Sequence, residues 1–345
     1  MNPSSVLQDV YQSLPKVELH RHLEGSLRLE TMQDVACAHG ITPPVDITRL
    51  SSLVQVQDGE PYTFANFLEK FKTLRLFYRS PEVIHRITRE AVEDAAKDNI
   101  RYLELRFTPF ALSRAEGFPL GDVIDWVCES ASQAAREFHL IVRLIASVNR
   151  HESPDLAEQI AWLAADRMDK GLVALDLAGN EAEFPAEPFM SIFQEARRAG
   201  LHITIHAGEW GGAANVRQAI EKFDAERIGH GVRVMEDSAV VAMADERGTA
   251  FEVCITSNHQ SGVVPSLGEH PLLRMLAAGL NATINTDDPS VSRITLGGEY
   301  HLAGESLGLR MDVLKQRILA AARAAFLPEA ERSELVSRLK KELNI

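Results

Sequence analysis

The sequence has few cysteines: three in 345 residues, at positions 37, 128 and 254. Because they are isolated and odd in number, they argue against a disulfide framework and favour a reducing compartment. The sequence also lacks the run of roughly 20 apolar residues that crosses a bilayer. Its first residues, MNPSSVLQDV, have neither the basic nor the apolar region of a secretion signal. We therefore expect a cytoplasmic protein that does not engage a membrane.

Basic segments with interleaved aromatic residues are absent too, and the formal net charge is −13. An acidic chain of this kind is a poor ligand for polyanions, so nucleic acid is not expected as a partner. The composition, 45% hydrophobic and 25% charged, is that of a globular enzyme. It favours a small neutral substrate and is compatible with a monomer or a homodimer.

Short apolar runs alternate with amphipathic segments along most of the chain. Eight candidate strands cover 17–24, 101–109, 140–149, 172–179, 202–209, 226–231, 251–258 and 281–289. Helical segments such as 189–200 and 270–280 fall between them. Eight βα units predict an α/β fold, the (β/α)8 TIM barrel. An open doubly wound sheet is the alternative, but HLEGSLRLE follows the first strand in place of a glycine-rich phosphate loop.

The interval between the first two strands is far longer than one crossover helix needs. We predict one domain over 1–345, with a helical insertion at about 40–95 that lies over the C-terminal face of the barrel. Within it, Phe64, Phe67, Leu68 and Phe71 recur at helical spacing and form one apolar face. This face either packs on the barrel or covers a ligand as a lid.

Residues that can bind a metal lie toward the ends of four predicted strands. His20 and His22 alternate on one face of the first strand, His206 ends the fifth, and Asp287 closes the eighth. A barrel gathers these strand ends at its active-site face. Three imidazoles and a carboxylate suit Zn²⁺ better than Mg²⁺ or Ca²⁺. A further histidine, His230, ends the sixth strand.

Glu209 follows His206 by three residues, so its carboxyl group is placed to exchange a proton with a substrate beside the metal. Six other histidines match no ligand role and are assigned to surface or packing positions: His39, His85, His139, His259, His270 and His301.

Six motifs, HRHLEGSLR, DLAGNE, HAGE, RIGHG, SNHQSG and NTDDP, stand in this order along the chain. As an ordered set they resemble the adenosine deaminase family of the amidohydrolase superfamily, from about Leu14 to the FLPEAER segment. The resemblance implies one Zn²⁺ per chain, held by His20, His22, His206 and Asp287. It also implies hydrolytic deamination of a purine nucleoside, with adenosine and 2′-deoxyadenosine as the expected substrates.

The same resemblance implies a role for each of the remaining motif residues. Glu209 would protonate purine N1, and His230 would orient the attacking water or accept its proton. Asp288 would hydrogen-bond that water and purine N7, while the backbone N–H of Gly179 would face N3. Phe67 and Leu68 would belong to an apolar lid over the ribose.

Glu24 departs from the family pattern, in which adenosine-specific members commonly have aspartate facing the ribose 5′ side. Adenine and 5′-modified adenosines such as aminodeoxyfutalosine therefore stay open as substrates. A binuclear zinc hydrolase is a rival interpretation, but LVALDLAG lacks the lysine that often bridges two metals in such enzymes. A non-catalytic barrel is the third, although it would predict degraded ligand positions.

Overall fold

The computed structural model describes residues 10–41 and 46–345. Residues 1–9, at the start of the predicted domain, and 42–45, inside the predicted insertion, lie outside the described residues. Eight strands form one sheet: β1 Lys16–His22, β2 Ile100–Phe107, β3 Ile141–Asn149, β4 Leu172–Ala178, β5 His202–Ala207, β6 Arg227–His230, β7 Ala250–Val253 and β8 Asn281–Ile284. They are parallel and pair in chain order. This arrangement confirms the predicted (β/α)8 barrel.

The barrel closes through residues of the predicted metal site. Just beyond β8, Asp287 pairs with Arg21 as an isolated parallel bridge. The Asp287 N–H donates to the His20 carbonyl at 2.8 Å, and the His22 N–H donates to the Asp287 carbonyl at 2.8 Å. The backbone that completes the barrel thus also fixes three candidate ligands relative to one another.

Buried ion pairs fill much of the barrel interior beneath that closure. Arg106 and Arg227 both bind the carboxylate of Glu252, at 2.7 and 2.6 Å, and Arg227 also pairs with Glu104. All four side chains are almost completely buried. Because a buried charge without a partner is strongly destabilising, each of these groups depends on the others for its place in the core.

Four helices separate β1 from β2 in the described part of that interval: α1 Leu29–His39, α2 Ile47–Val54, α3 Phe64–Leu74 and α4 Pro81–Lys97. Their starts are encoded locally. Thr63 caps α3 by accepting from the Asn66 N–H, and Ser80 caps α4 immediately before a proline at its first position.

The other helices surround the barrel: α5 Pro109–Ser113, α6 Leu120–Glu137, α7 Pro154–Ala165, α8 Met190–Arg198, α9 Ala213–Lys222, α10 Ser238–Arg247, α11 Ile255–Gln260, α12 Leu272–Ala277, α13 Pro289–Ser292, α14 Leu296–Glu305, α15 Met311–Ala324 and α16 Glu329–Leu343. Among the described residues, no helix combines the length and apolarity that a bilayer span requires.

The seventh strand is shorter than predicted. The interval 251–258 was expected to be extended, yet β7 ends at Val253 and α11 starts at Ile255. A distant carboxylate accounts for the change, because Glu299 of α14 accepts the Thr256 N–H at 3.0 Å in the first turn of α11. A partner 43 residues away is invisible to local periodicity. The eighth strand likewise ends at Ile284 rather than at 289.

Candidate active site

Four predicted ligands converge at the C-terminal ends of β1, β5 and β8. His20, His22, His206 and Asp287 offer ligand atoms that all lie within 4.8 Å of one another. The Nε2 atoms of His22 and His206 are 3.3 Å apart, and each of His20 and His22 places Nε2 within 3.3 Å of Asp287 Oδ1. His20 Nε2 is buried and makes no hydrogen bond.

The opposite ring nitrogens of two of these histidines are bound to carboxylates. His20 Nδ1 lies 2.7 Å from Glu252 Oε2, and His206 Nδ1 lies 2.9 Å from Asp176 Oδ1. A proton held on Nδ1 leaves the Nε2 lone pair free, which is the usual arrangement around a metal. Three imidazole nitrogens and one carboxylate therefore fit a Zn²⁺ ion at this position.

The acidic partners are themselves held in the ionised form. Although burial acts to raise the pKa of Glu252, Arg106 and Arg227 keep it well below its usual range. Burial also opposes ionisation of Asp176, but His206 and Arg106 together lower the pKa of that carboxyl. Both carboxylates are thus available to accept the Nδ1 protons of the ligating histidines.

Two site residues have left-handed backbones, with φ of 59° at His230 and 67° at Asp287. Non-glycine residues adopt this region at a cost of about 1–3 kcal/mol, and such residues cluster at functional sites. Gly231 has φ of 65° directly after His230, where an added Cβ would lie 2.3 Å from the ring of Phe251. The chain therefore turns sharply at the end of β6 and directs His230 into the site.

Glu209 stands beside this cluster and is 6% exposed. Its Oε2 lies 3.7 Å from His230 Nε2. The backbone is fixed by Glu181, whose carboxylate accepts the N–H groups of Gly208 and Glu209 at 3.0 and 2.6 Å. Burial, with the carboxylates of Asp287 and Glu181, raises the pKa of Glu209 well above its usual value. A raised pKa favours the protonated carboxyl group, which is the form that can donate a proton.

Asp288 packs against the loop that follows β1. Its Oδ1 is buried without a hydrogen-bond partner. Burial raises its pKa strongly, and the neighbouring carboxylates of Asp287 and Glu24 act in the same direction. Gly25 makes this position possible, because a Cβ on Gly25 would lie 1.8 Å from Asp288 Oδ1.

We expect Gly25→Ala to displace Asp288 and lower kcat/KM, since the new methyl group would overlap the carboxyl group. Overpacking of this kind costs typically about 1–3 kcal/mol. Steady-state kinetics and the melting temperature should be measured together, with Gly268→Ala as the control, because a Cβ there meets nothing within 4 Å. Activity equal to wild type in Gly25→Ala would show that Asp288 does not need its observed position.

A cavity of about 410 Å³ opens beside these groups and is lined by each of the predicted site residues except His20. His20 lies beneath it, fully buried. Phe67 and Leu68 of α3 line one side, with Trp210 and Gly179 also on the wall. Trp210 further contacts the ring of Phe64, with centroids 5.5 Å apart. The apolar face of α3 therefore lies along the cavity as well as against the barrel.

Glu24 is oriented by Thr108, the residue directly after β2. Its Oε1 accepts the Thr108 N–H at 2.7 Å, while Oε2 is buried and has no partner. Burial raises the pKa of the Glu24 carboxyl. One oxygen thus fixes the side chain and the other is available to a ligand in the cavity.

Sequence reasoning missed several residues that hold the site together. Asp176 and Glu181 both lie in DLAGNE, a motif from which only Gly179 was selected. Glu252 stands between Phe251 and Val253, and a charge within an apolar strand of a barrel was the available signal. His270, assigned to packing or the surface, is a packing residue: it is 5% exposed and hydrogen-bonded to Asn258 of α11, a contact that sequence reasoning did not predict.

The family model described as adenosine deaminase matches residues 15–342. The chain belongs to the adenosine deaminase family. It is 38% identical to an adenosine deaminase of Erwinia tasmaniensis over 328 residues, which is 94% of this chain and 98% of that protein. It is accordingly an aminohydrolase-type enzyme that acts on C–N bonds.

Solved structures of an amidohydrolase and of an adenine deaminase are similar to nearly the whole chain. An amidohydrolase from Burkholderia ambifaria with bound Zn has a TM-score of 0.88 and 27% identity, with 98% of this chain and 92% of that chain covered. An adenine deaminase from Arthrobacter aurescens also has a TM-score of 0.88 at 27% identity, covering 96% of this chain and 100% of that chain. The family is metal-dependent, in agreement with the histidine and aspartate cluster described above.

Proposed function

We propose that this enzyme hydrolyses adenosine and 2′-deoxyadenosine to inosine and 2′-deoxyinosine with release of ammonia, using one Zn²⁺ per chain. One observation carries the proposal: Glu209, whose pKa is raised by burial, and the candidate metal ligands His22, His206 and Asp287 face one cavity. The adenosine deaminase of Erwinia tasmaniensis, similar over nearly the whole chain, supports the same substrate.

Glu209 donates its proton to purine N1, which makes C6 more electrophilic. The overall reaction consumes one water: its oxygen adds to C6, the C6–N6 bond breaks, and its two protons end on the departing ammonia and on Glu209, which regains the proton given to N1. His20, His22, His206 and Asp287 would hold the Zn²⁺ ion, which would supply a Lewis acid able to lower the pKa of water toward neutrality. His230 orients the attacking water or accepts its proton.

Substrate orientation follows from groups along the cavity wall. Asp288 hydrogen-bonds purine N7, and the Gly179 N–H faces N3. With φ of 91°, Gly179 has a backbone conformation that residues with a Cβ rarely adopt. The free Oε2 of Glu24 accepts a ribose hydroxyl, and Phe67 and Leu68 cover the sugar as part of the lid.

Another 6-aminopurine is the second candidate, as adenine or as a 5′-modified adenosine such as aminodeoxyfutalosine. The structure of the Arthrobacter aurescens adenine deaminase favours the first of these. Arg75 and Lys72, which line the same cavity, favour a larger group at the 5′ side. Arg75 Nε is buried and has no hydrogen-bond partner.

Ammonia release from the zinc-loaded enzyme, measured with adenosine, 2′-deoxyadenosine, adenine and aminodeoxyfutalosine side by side, tests the substrate assignment. We expect the two nucleosides to have the highest kcat/KM. Faster turnover of adenine or aminodeoxyfutalosine would overturn the assignment while leaving the aminohydrolase chemistry intact.

Replacing Glu24 by alanine should weaken nucleoside binding more than adenine binding. The loss of one hydrogen bond of about 1–1.5 kcal/mol raises KM for adenosine by about tenfold. Adenine, which has no ribose, serves as the internal control in the same preparation. Equal effects on both substrates would be incompatible with a ribose contact at Glu24.

The three cysteines are free, and Cys128 and Cys254 are buried. This pattern supports the cytoplasm as the location of the enzyme. We further propose that it acts as a monomer or a homodimer on a small-molecule nucleoside, without a nucleic acid or membrane partner.

A further inference from the structure

Two buried side chains behind His230 belong neither to the ligand set nor to the cavity lining. Asn258 lies in α11 and is 0% exposed, and His270 lies two residues before the start of α12 and is 5% exposed. Asn258 Nδ2 lies 3.0 Å from His230 Nδ1, and His270 Nε2 lies 3.3 Å from Asn258 Oδ1. The three side chains form one continuous hydrogen-bonded row that ends in the active site.

The direction of every hydrogen bond in this row is set by a backbone group at its far end. The Leu272 N–H lies 3.2 Å from His270 Nδ1 and is able only to donate. His270 Nδ1 must therefore accept, and a neutral imidazole that accepts at Nδ1 carries its proton on Nε2. Burial lowers the pKa of His270 to about 3, so the ring is neutral.

The Asn258 amide sets the direction of the hydrogen bond to His230 in the same way. Because His270 Nε2–H donates, the Asn258 oxygen faces His270 and the Asn258 NH₂ group faces His230. That NH₂ group donates to His230 Nδ1. An imidazole nitrogen that accepts a hydrogen bond carries no proton, so the His230 ring has its proton on Nε2.

We propose that His270 and Asn258 are positioning residues that hold His230 in the tautomer protonated at Nε2. This nitrogen lies 3.7 Å from Glu209 Oε2 and 3.9 Å from Asp287 Oδ2, so its N–H points into the site. This assignment rests on the proposed function. Of the two roles considered for His230, it selects orienting the attacking water over accepting its proton. A neutral ring with its proton on Nε2 donates a hydrogen bond to the attacking oxygen. Its Nε2 then has no free lone pair with which to accept a proton from the water.

The tautomer itself is measurable without any assay of activity. In zinc-loaded protein labelled with ¹⁵N-histidine, two-bond ¹H–¹⁵N correlations distinguish protonated from unprotonated ring nitrogens, and the His230→Gln spectrum assigns the His230 signals. We expect Nδ1 unprotonated and Nε2 protonated in the wild type. A protonated Nδ1 in the wild type would overturn the proposal, even if adenosine is turned over; the predicted tautomer without adenosine turnover would overturn only the proposed function.

Asn258→Asp provides the matching perturbation, since it keeps the shape of the side chain and replaces its donor by an acceptor. We expect His230 to become protonated at Nδ1, with kcat lowered by about 10–100-fold, the range typical of partners behind a metal site, and KM changed little. His270→Phe, which removes the donor to Asn258, should shift the same signals.

His301→Phe is the control, because His301 packs on Tyr11 away from the site and should change neither the His230 signals nor kcat. Unchanged His230 signals in both Asn258→Asp and His270→Phe would overturn the proposal. Melting temperatures identify a variant that fails to fold, in which case the wild-type spectrum still decides the question.

Discussion

Glu209→Gln is expected to lower kcat for adenosine by about 10²–10⁴-fold, the contribution typical of one positioned general acid. Glutamine keeps the size of the side chain but has no acidic proton to deliver to purine N1. Burial raises the pKa of Glu209, which favours the protonated carboxyl group that can donate to N1. The measurement is steady-state ammonia release, together with zinc content by atomic absorption.

Zinc content should stay unchanged in Glu209→Gln, because Glu209 is not among the four ligands that converge in the site. Glu195→Gln, on the exposed surface of α8, is the matched control and should retain wild-type kcat. Near wild-type turnover in Glu209→Gln would exclude Glu209 as the proton donor, and a loss of zinc would show that it binds the metal.

Removal of zinc by a chelator is expected to abolish turnover, and addition of one equivalent of Zn²⁺ to restore it. His206→Ala should stay inactive even after Zn²⁺ is added, since the site would keep only His20, His22 and Asp287 as ligands. Metal content per chain and kcat are measured on the same samples. One equivalent of zinc in the wild type agrees with the single cluster of four ligands.

The control for this experiment is His85→Ala, which removes a histidine outside the cluster and should leave the zinc content at one equivalent. Two equivalents in the wild type would favour the binuclear hydrolase considered from the sequence. Full activity in the chelated, zinc-free protein would contradict a metal-dependent mechanism altogether.

The barrel was predictable because its signals are local. Each strand is a short apolar run, and starts such as Thr63 before α3 and Ser80-Pro81 before α4 are encoded by adjacent residues. The end of β7 was not predictable, since Glu299 supplies the acceptor for the first turn of α11 from a distant helix. The closure of the barrel through Asp287 and Arg21 likewise joins the two ends of the barrel sequence.

In the site, the candidate metal ligands could be recognised from the sequence, but the residues that hold them in place could not. His20, His22, His206 and Asp287 stand at strand ends, so the fold alone gathers them. The partners of the site residues could not be predicted, because the contacts that join Glu252 to His20 and His270 to Asn258 depend on how separate elements pack. A spacing rule along one strand or helix has no means of representing such contacts.

The most direct test of the account is the fate of water oxygen in the reaction with adenosine. Zinc-loaded enzyme is incubated with adenosine in H₂¹⁸O, and the product is analysed by mass spectrometry while ammonia is quantified. We expect inosine with one ¹⁸O atom at C6 and one ammonia per inosine formed. Recovery of unchanged adenosine, or a product that keeps its 6-amino group, would contradict it.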